Sequence, residues 1–211
     1  MRHIMVVNPK GGAGKTTIAT NLASYFANQK AVVVLADFDP QSSSLAWLSL
    51  RSSGRPPIQG VAAFNSPLRP SRRTEYIVMD SPAAVHGRQL SDLVRRAETI
   101  IIPVLPSPID IRAASDFIKE IKSVAKVARK RAKLALIANR VKENTVIHWE
   151  LDGFLSKQRI PFLATLRDSQ NYIRAAERGL GIFEMASYST AIDREQWAPI
   201  LKWIRSKRSQ P

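Results

Sequence analysis

Asn8–Thr17 reads NPKGGAGKTT. The stretch follows a short apolar run, His3–Val7, and leads into a helical period over Lys15–Gln29. A glycine-rich turn between a strand and a helix is the setting of a phosphate-binding loop. Gly11, Gly12 and Gly14 let the backbone turn tightly and aim its N–H groups inward around Ala13. A helix opening at Lys15 adds the positive end of its dipole. Lys15 can then reach the β- and γ-phosphates of a nucleotide, and the Thr16 hydroxyl can bind Mg²⁺. The loop departs from the usual G-x-x-x-x-G-K-[ST] in two places. Pro9 stands where the first glycine belongs, and Lys10 puts a second lysine inside the loop.

Outward from the loop, strand-length apolar runs alternate with helical periods. Further strands are expected over Ala31–Asp37, Glu75–Asp80, Thr99–Leu105 and Leu134–Asn139, with a short last one at Phe162–Thr165. Helices are expected over Arg88–Ala97, Ile109–Arg131, Val146–Lys157, Ser169–Arg178 and Arg194–Lys207. The proline-rich stretch Arg51–Arg73 reads as a surface excursion with a short strand near Val61–Phe64. Continuous apolar strands between helices predict an α/β class, a P-loop NTPase fold with a mostly parallel twisted sheet and helices on both faces. One domain is expected over residues 1–211, with a basic C-terminal tail from about residue 205. Ligands in such sheets bind beyond the carboxyl ends of the strands. Asp37, Asp39 and Asp80 all sit at such ends. Residues two apart in a strand share a face, so Asp37 and Asp39 can point at one site. Asp80 closes the run YIVMD, where a carboxylate can hold Mg²⁺ through its water shell. Any one of the three can instead be a strand-end or helix cap.

Composition narrows the function classes. No cysteine is present, which excludes disulfides, thiolate metal sites and thiol catalysis. The longest apolar runs are too short for a membrane span, and the N-terminus does not read as a signal peptide. Lys and Arg number 32 against 17 Asp and Glu, a net charge of +15, so a polyanionic partner is expected, either nucleic acid or an anionic lipid surface.

Taken in order, KGGAGKTT, ADFDPQ, YIVMDSPA, IIPVLPSPID and IANRV resemble the deviant-Walker P-loop ATPases of the ParA/MinD type, closest to small ParA-like members. A softer match continues through LRDSQNYIRAAERGLGIFE. The resemblance implies ATP and Mg²⁺ as ligands and an ATP-sandwich homodimer. In it, Lys10 crosses to the phosphates held by the partner copy. It implies that Lys15 binds phosphate, Thr16 binds Mg²⁺ and Thr17 meets the α-phosphate. Asp39 would position the attacking water, Asp37 and Asp80 would support the metal shell, and Asn139 would read adenine. A carboxamide offers both a donor and an acceptor to an adenine edge.

The family divides by the surface it rides, nonspecific DNA or membrane. For DNA, Lys119, Lys122, Lys126, Arg129, Lys130 and Lys133 recur at steps of three and four and form one helical stripe, with Arg140, Lys142 and Arg167 beyond it. For membrane, Trp197, Ile200, Leu201 and Ile204 form an apolar face in a basic C-terminal segment. Docking of that segment on the sheet is the expected outcome, with its basic tail free, because the fold needs helices to cover it. Pro199 suits a helix start. The chain opens directly on its first strand, so an N-terminal operator-binding domain is not expected. The resulting expectation is a cytoplasmic, nucleoid-associated ATPase. It would position a plasmid or a protein body such as a carboxysome, with a cargo-bound adaptor stimulating hydrolysis. A membrane-associated regulator of division-site placement is the alternative.

Overall fold

The computed structural model describes residues 1–127, 132–142 and 144–211. Among these, seven strands form one sheet: β1 (Arg2–Val6), β2 (Val33–Asp37), β3 (Gln59–Ala62), β4 (Tyr76–Asp80), β5 (Thr99–Val104), β6 (Lys133–Val141) and β7 (Phe162–Arg167). Their spatial order is β3-β2-β4-β1-β5-β6-β7, and every pairing is parallel. Parallel strands need crossovers, and helices supply them. These are α1 (Lys15–Asn28), α2 (Ser43–Ser49), α3 (Gly87–Val94), α4 (Pro108–Val127), α5 (Val146–Ser156), α6 (Gln170–Ala176) and α7 (Ala191–Arg205).

Strand alternation sends side chains into two cores, one on each face of the sheet. Ile4, Val6, Leu35, Val78 and Ile101 pack with Ile18, Leu22 and Phe26 of α1 and with Trp197, Ile200 and Ile204 of α7. Met5, Ile77, Met79, Ile100 and Leu136 pack with Leu90 of α3, Phe117 and Ile121 of α4, and Leu151 of α5. The chain leaves β1 toward β2 on one side and, from β4, crosses over to β5 on the other. The strand order therefore reverses beside β1, and the loop Val7–Gly14 emerges at that switch point, where open α/β sheets bind ligands.

Three sequence expectations are corrected by this arrangement. First, α2 was not anticipated. It is short, and its start is held from a distance. The Asp37 carboxylate accepts from the Ser44 amide at 3.1 Å, the Ser44 hydroxyl at 2.7 Å and the Leu45 amide at 3.3 Å. A cap seven or eight residues upstream leaves no local signature. Second, Pro199 lies inside α7, not at its start. A proline there removes the amide bond to the Glu195 carbonyl. Burial of Trp197, Ile200, Leu201, Trp203 and Ile204 holds the helix despite that loss, while Pro199 itself faces solvent. Third, the tail is anchored at Ser209, although its Lys207 and Arg208 side chains are exposed. Ser209 is fully buried, its carbonyl accepts from Thr99 Oγ1 at 2.7 Å, and Arg2 donates to its hydroxyl at 3.0 Å.

Candidate nucleotide site

The loop at the end of β1 is already shaped as a phosphate cradle. Gly12 and Gly14 take φ of 75° and 86°, the left-handed region that glycine enters without strain. At Gly14 a side chain is excluded twice, because a Cβ there would lie 2.1 Å from the Asn139 amide nitrogen. That nitrogen donates to the Ala13 carbonyl at 2.9 Å and ties the loop to the end of β6. Asn8, buried, ties it to the end of β5, with Nδ2 donating to the Pro103 carbonyl at 2.6 Å. Its Oδ1 accepts the Lys10 amide at 2.8 Å.

Two lysines and two carboxylates set the charge of the site. Lys15 is buried, and Nζ donates to the Lys10 carbonyl at 3.1 Å. Burial lowers its pKa from the ordinary lysine value, and the Asp80 and Asp39 carboxylates offset part of that shift. Asp80 is pushed up to about 7 by burial. The Thr16 hydroxyl bond opposes the rise, Asp37 adds to it, Lys15 opposes it and Asp39 adds to it. Thr16 Oγ1 donates to Asp80 Oδ2 at 2.8 Å, while Asp80 Oδ1 is buried with no hydrogen-bond partner. Among the described residues, nothing donates to this buried oxygen beside a threonine hydroxyl, which leaves it for a cation's water shell. The donor set is hard oxygen, which suits hydrated Mg²⁺.

A cleft of about 540 Å³ opens over this cradle. Gly11, Gly12, Gly14, Lys15, Thr16 and Thr17 line one side, and Asp39 and Gln41 reach in from the end of β2. The far wall comes from Asn139 and Arg140 after β6 and from Arg167–Ile173 around the end of β7. Asp39 is held by its backbone, whose amide donates to Asp37 Oδ1 at 2.9 Å, and its Oδ1 accepts the Gln41 amide at 3.0 Å. The volume and the cationic floor fit a nucleotide, with its phosphates at the loop.

Residues 4–182 match the family model described as the CobQ/CobB/MinD/ParA nucleotide binding domain. The chain belongs to this family. Among named relatives, it is 28% identical over 197 residues to the maintenance of carboxysome distribution protein A of Halothiobacillus neapolitanus, covering 87% of this chain and 88% of that protein. The protein of the same name from Gloeobacter kilaueensis is 30% identical over 188 residues, covering 87% and 84%. In fold, the chain resembles apo McdA of Cyanothece with a TM-score of 0.76 at 18% identity, over 95% of this chain and 99% of that one.

Within this family frame the predicted residues divide. Gly11, Gly12, Gly14, Lys15, Thr16, Thr17, Asp39 and Asn139 meet in one cleft, with Asp80 bonded to Thr16, while Lys10 and Ala13 do not line it. Asp37 does not line that cleft. It is fully buried, and its oxygens accept from the start of α2 and from the Asp39 amide. Asn139 lines the cleft, with one N–H of its amide on the Ala13 carbonyl and a second N–H and Oδ1 left over.

Among the described residues, the predicted DNA set is divided between α4, the end of β6 and the nucleotide cleft. Lys119 and Lys122 are exposed on α4, the first bonded to Asp116 at 3.1 Å and the second to the Gln158 carbonyl at 2.6 Å. The Lys126 side chain, Arg129 and Lys130 lie outside the described residues. Lys133 opens β6 and so leaves the stripe. Arg140 pairs with Asp168 at 3.3 Å and lines the nucleotide cleft. Arg167 does so too, with Nε 2.7 Å from Asp193, a carboxylate with no exposed surface. Lys142 remains exposed just past β6. Sequence reading missed Asn8 as a brace and Asp168, Ser169 and Tyr172 as cleft lining. The signal for the latter three was present, since they follow the carboxyl end of a parallel strand.

Proposed function

We propose that the protein is a Mg²⁺-dependent ATPase whose ATP-bound homodimer rides nonspecific DNA and positions a cargo. The observation that carries this reading is Lys10. Its peptide is held at both ends by Asn8 and Lys15, yet its ammonium has no partner among the described residues, beside a finished phosphate cradle. A second triphosphate-bearing copy supplies the anion that such a cation lacks. Nucleotide state and oligomeric state are then linked.

In this reading the loop amides and Lys15 hold the triphosphate. Thr16 and Asp80 would hold hydrated Mg²⁺, which would supply charge neutralisation of the phosphates. Asp39 orients a water toward the γ-phosphorus. Attack forms one P–O bond and breaks the bond to ADP, leaving ADP and inorganic phosphate. Loss of the γ-phosphate removes the shared anion, and the dimer separates. The named relatives support a protein body as cargo, because both are named for carboxysome distribution. An adaptor on the cargo would stimulate hydrolysis, and the net charge of +15 suits the polyanionic track. A cytoplasmic, nucleoid-associated location follows from that track. A membrane anchor in α7 is less favoured, since it would have to expose Trp197 and Ile200, which are fully buried on the sheet.

Lys10→Ala tests the reading. The variant is expected to keep ADP affinity and to lose the ATP-dependent dimer by light scattering. A dimer as stable as that of the wild type would contradict the cross-subunit role.

A further inference from the structure

The Asn8 carboxamide is buried between two partners of different kinds. Nδ2 donates to the Pro103 carbonyl at the end of β5, and Oδ1 accepts the Lys10 amide. The strand ladder from β1 to β5 ends one residue earlier, where the Val7 amide donates to the Ile101 carbonyl at 3.0 Å. Past that point the Asn8 side chain continues the connection in place of the backbone. The Lys10 peptide therefore has two anchors, Asn8 on its N–H and Lys15 on its carbonyl. These anchors differ in what a nucleotide does to them. Lys15 Nζ faces the cleft and shares its three N–H groups between the Lys10 carbonyl and any bound phosphate, whereas the buried Asn8 bonds lie outside the cleft.

We infer that Asn8 is the positioning residue for Lys10: it keeps the Lys10 peptide fixed against β5 whether or not Lys15 is engaged with phosphate, so that the Lys10 ammonium stays aimed at a second copy. The inference rests on the cross-subunit reading of Lys10 given above. Asn8 is buried and does not line the cleft. Its loss should affect the dimer and not the binding of a single nucleotide.

The experiment is a double-mutant cycle on the full chain, with Asn8→Ala, Lys10→Ala and both together. ADP affinity is read by calorimetry and the ATP-dependent dimer by sedimentation at several protein concentrations. Asn8→Ala is expected to leave ADP affinity within about threefold and to weaken the dimer about tenfold, as for loss of one buried hydrogen-bonded anchor. The double variant should dimerise no worse than Lys10→Ala alone, because both changes remove one effect. Asn8→Ser keeps an acceptor two residues before Lys10 and is expected to restore part of the dimer. Additive losses in the cycle, or a fall in ADP affinity that matches the loss of dimer, would mean that Asn8 only braces the phosphate loop. That result would overturn the inference. A wild-type protein that stays monomeric with ATP overturns the cross-subunit reading itself, and the positioning role with it.

Discussion

At the scale of single residues, two aspartates two positions apart have opposite duties. Asp37 and Asp39 share a strand face in the sequence pattern, and both looked like site residues. The ladder ends between them. Asp37 stays inside and receives the amides of α2, while Asp39 turns into the cleft. Their alanine variants should separate these duties. Asp39→Ala is expected to fold, bind ATP and dimerise, with turnover reduced about a hundredfold for loss of a positioned water. Asp37→Ala is expected to lose about 2 kcal/mol of stability, because buried amides and the Ser44 hydroxyl are left without an acceptor. Phosphate release and thermal unfolding, measured on both, check the assignment. Equal stability of the two variants would reject it. The phosphate loop was legible because its chemistry is local: glycine spacing, Lys15 and Thr16 lie within a few residues. The Asn139 brace was not, because its partner Ala13 is on another strand and the contact exists only once β6 lies in place.

At the scale of elements, hydrophobic period and strand length located six of the seven strands to within a few residues, and the short β3 was placed a little late. Burial explains that success. Strands such as β5, buried on both faces, leave an uninterrupted apolar signature. The element that escaped, α2, is stabilised by a side chain outside itself. The C-terminal helix was legible as amphipathic, but periodicity cannot say what covers an apolar face. The structure covers it with the sheet. Trp197 has no exposed surface, and its Nε1 donates to the Tyr172 hydroxyl at 2.9 Å. Trp197→Ala is expected to cost about 3–5 kcal/mol and lower the unfolding midpoint. The intact protein is expected not to bind anionic vesicles in response to ATP. ATP-driven vesicle binding that is lost on changing Trp197 would restore the anchor reading.

At the scale of the whole molecule, a parallel sheet with its order reversed beside β1 brings the ends of β1, β2, β4, β6 and β7 to one edge, and the nucleotide cleft follows from that topology. This was readable in outline from the alternation of strands and helices. The surface was not. Helical spacing predicted a basic stripe over Lys119–Lys133 with Arg140, Lys142 and Arg167 beyond it, but Arg140 and Arg167 stand at the cleft beside Asp168 and Asp193, while Lys119, Lys122 and Lys142 are exposed to a polyanion. Phosphate contacts of that kind are sequence-blind and salt-sensitive, so about four neutralised phosphates would cost roughly a hundredfold in affinity between about 50 and about 200 mM salt. The most direct measurement is binding of the purified protein to random-sequence duplex DNA with ATP, with ADP and without nucleotide, across that salt range. Binding with ATP alone, falling steeply with salt, is the predicted result. Equal binding in all three states, or none with ATP, would contradict the account.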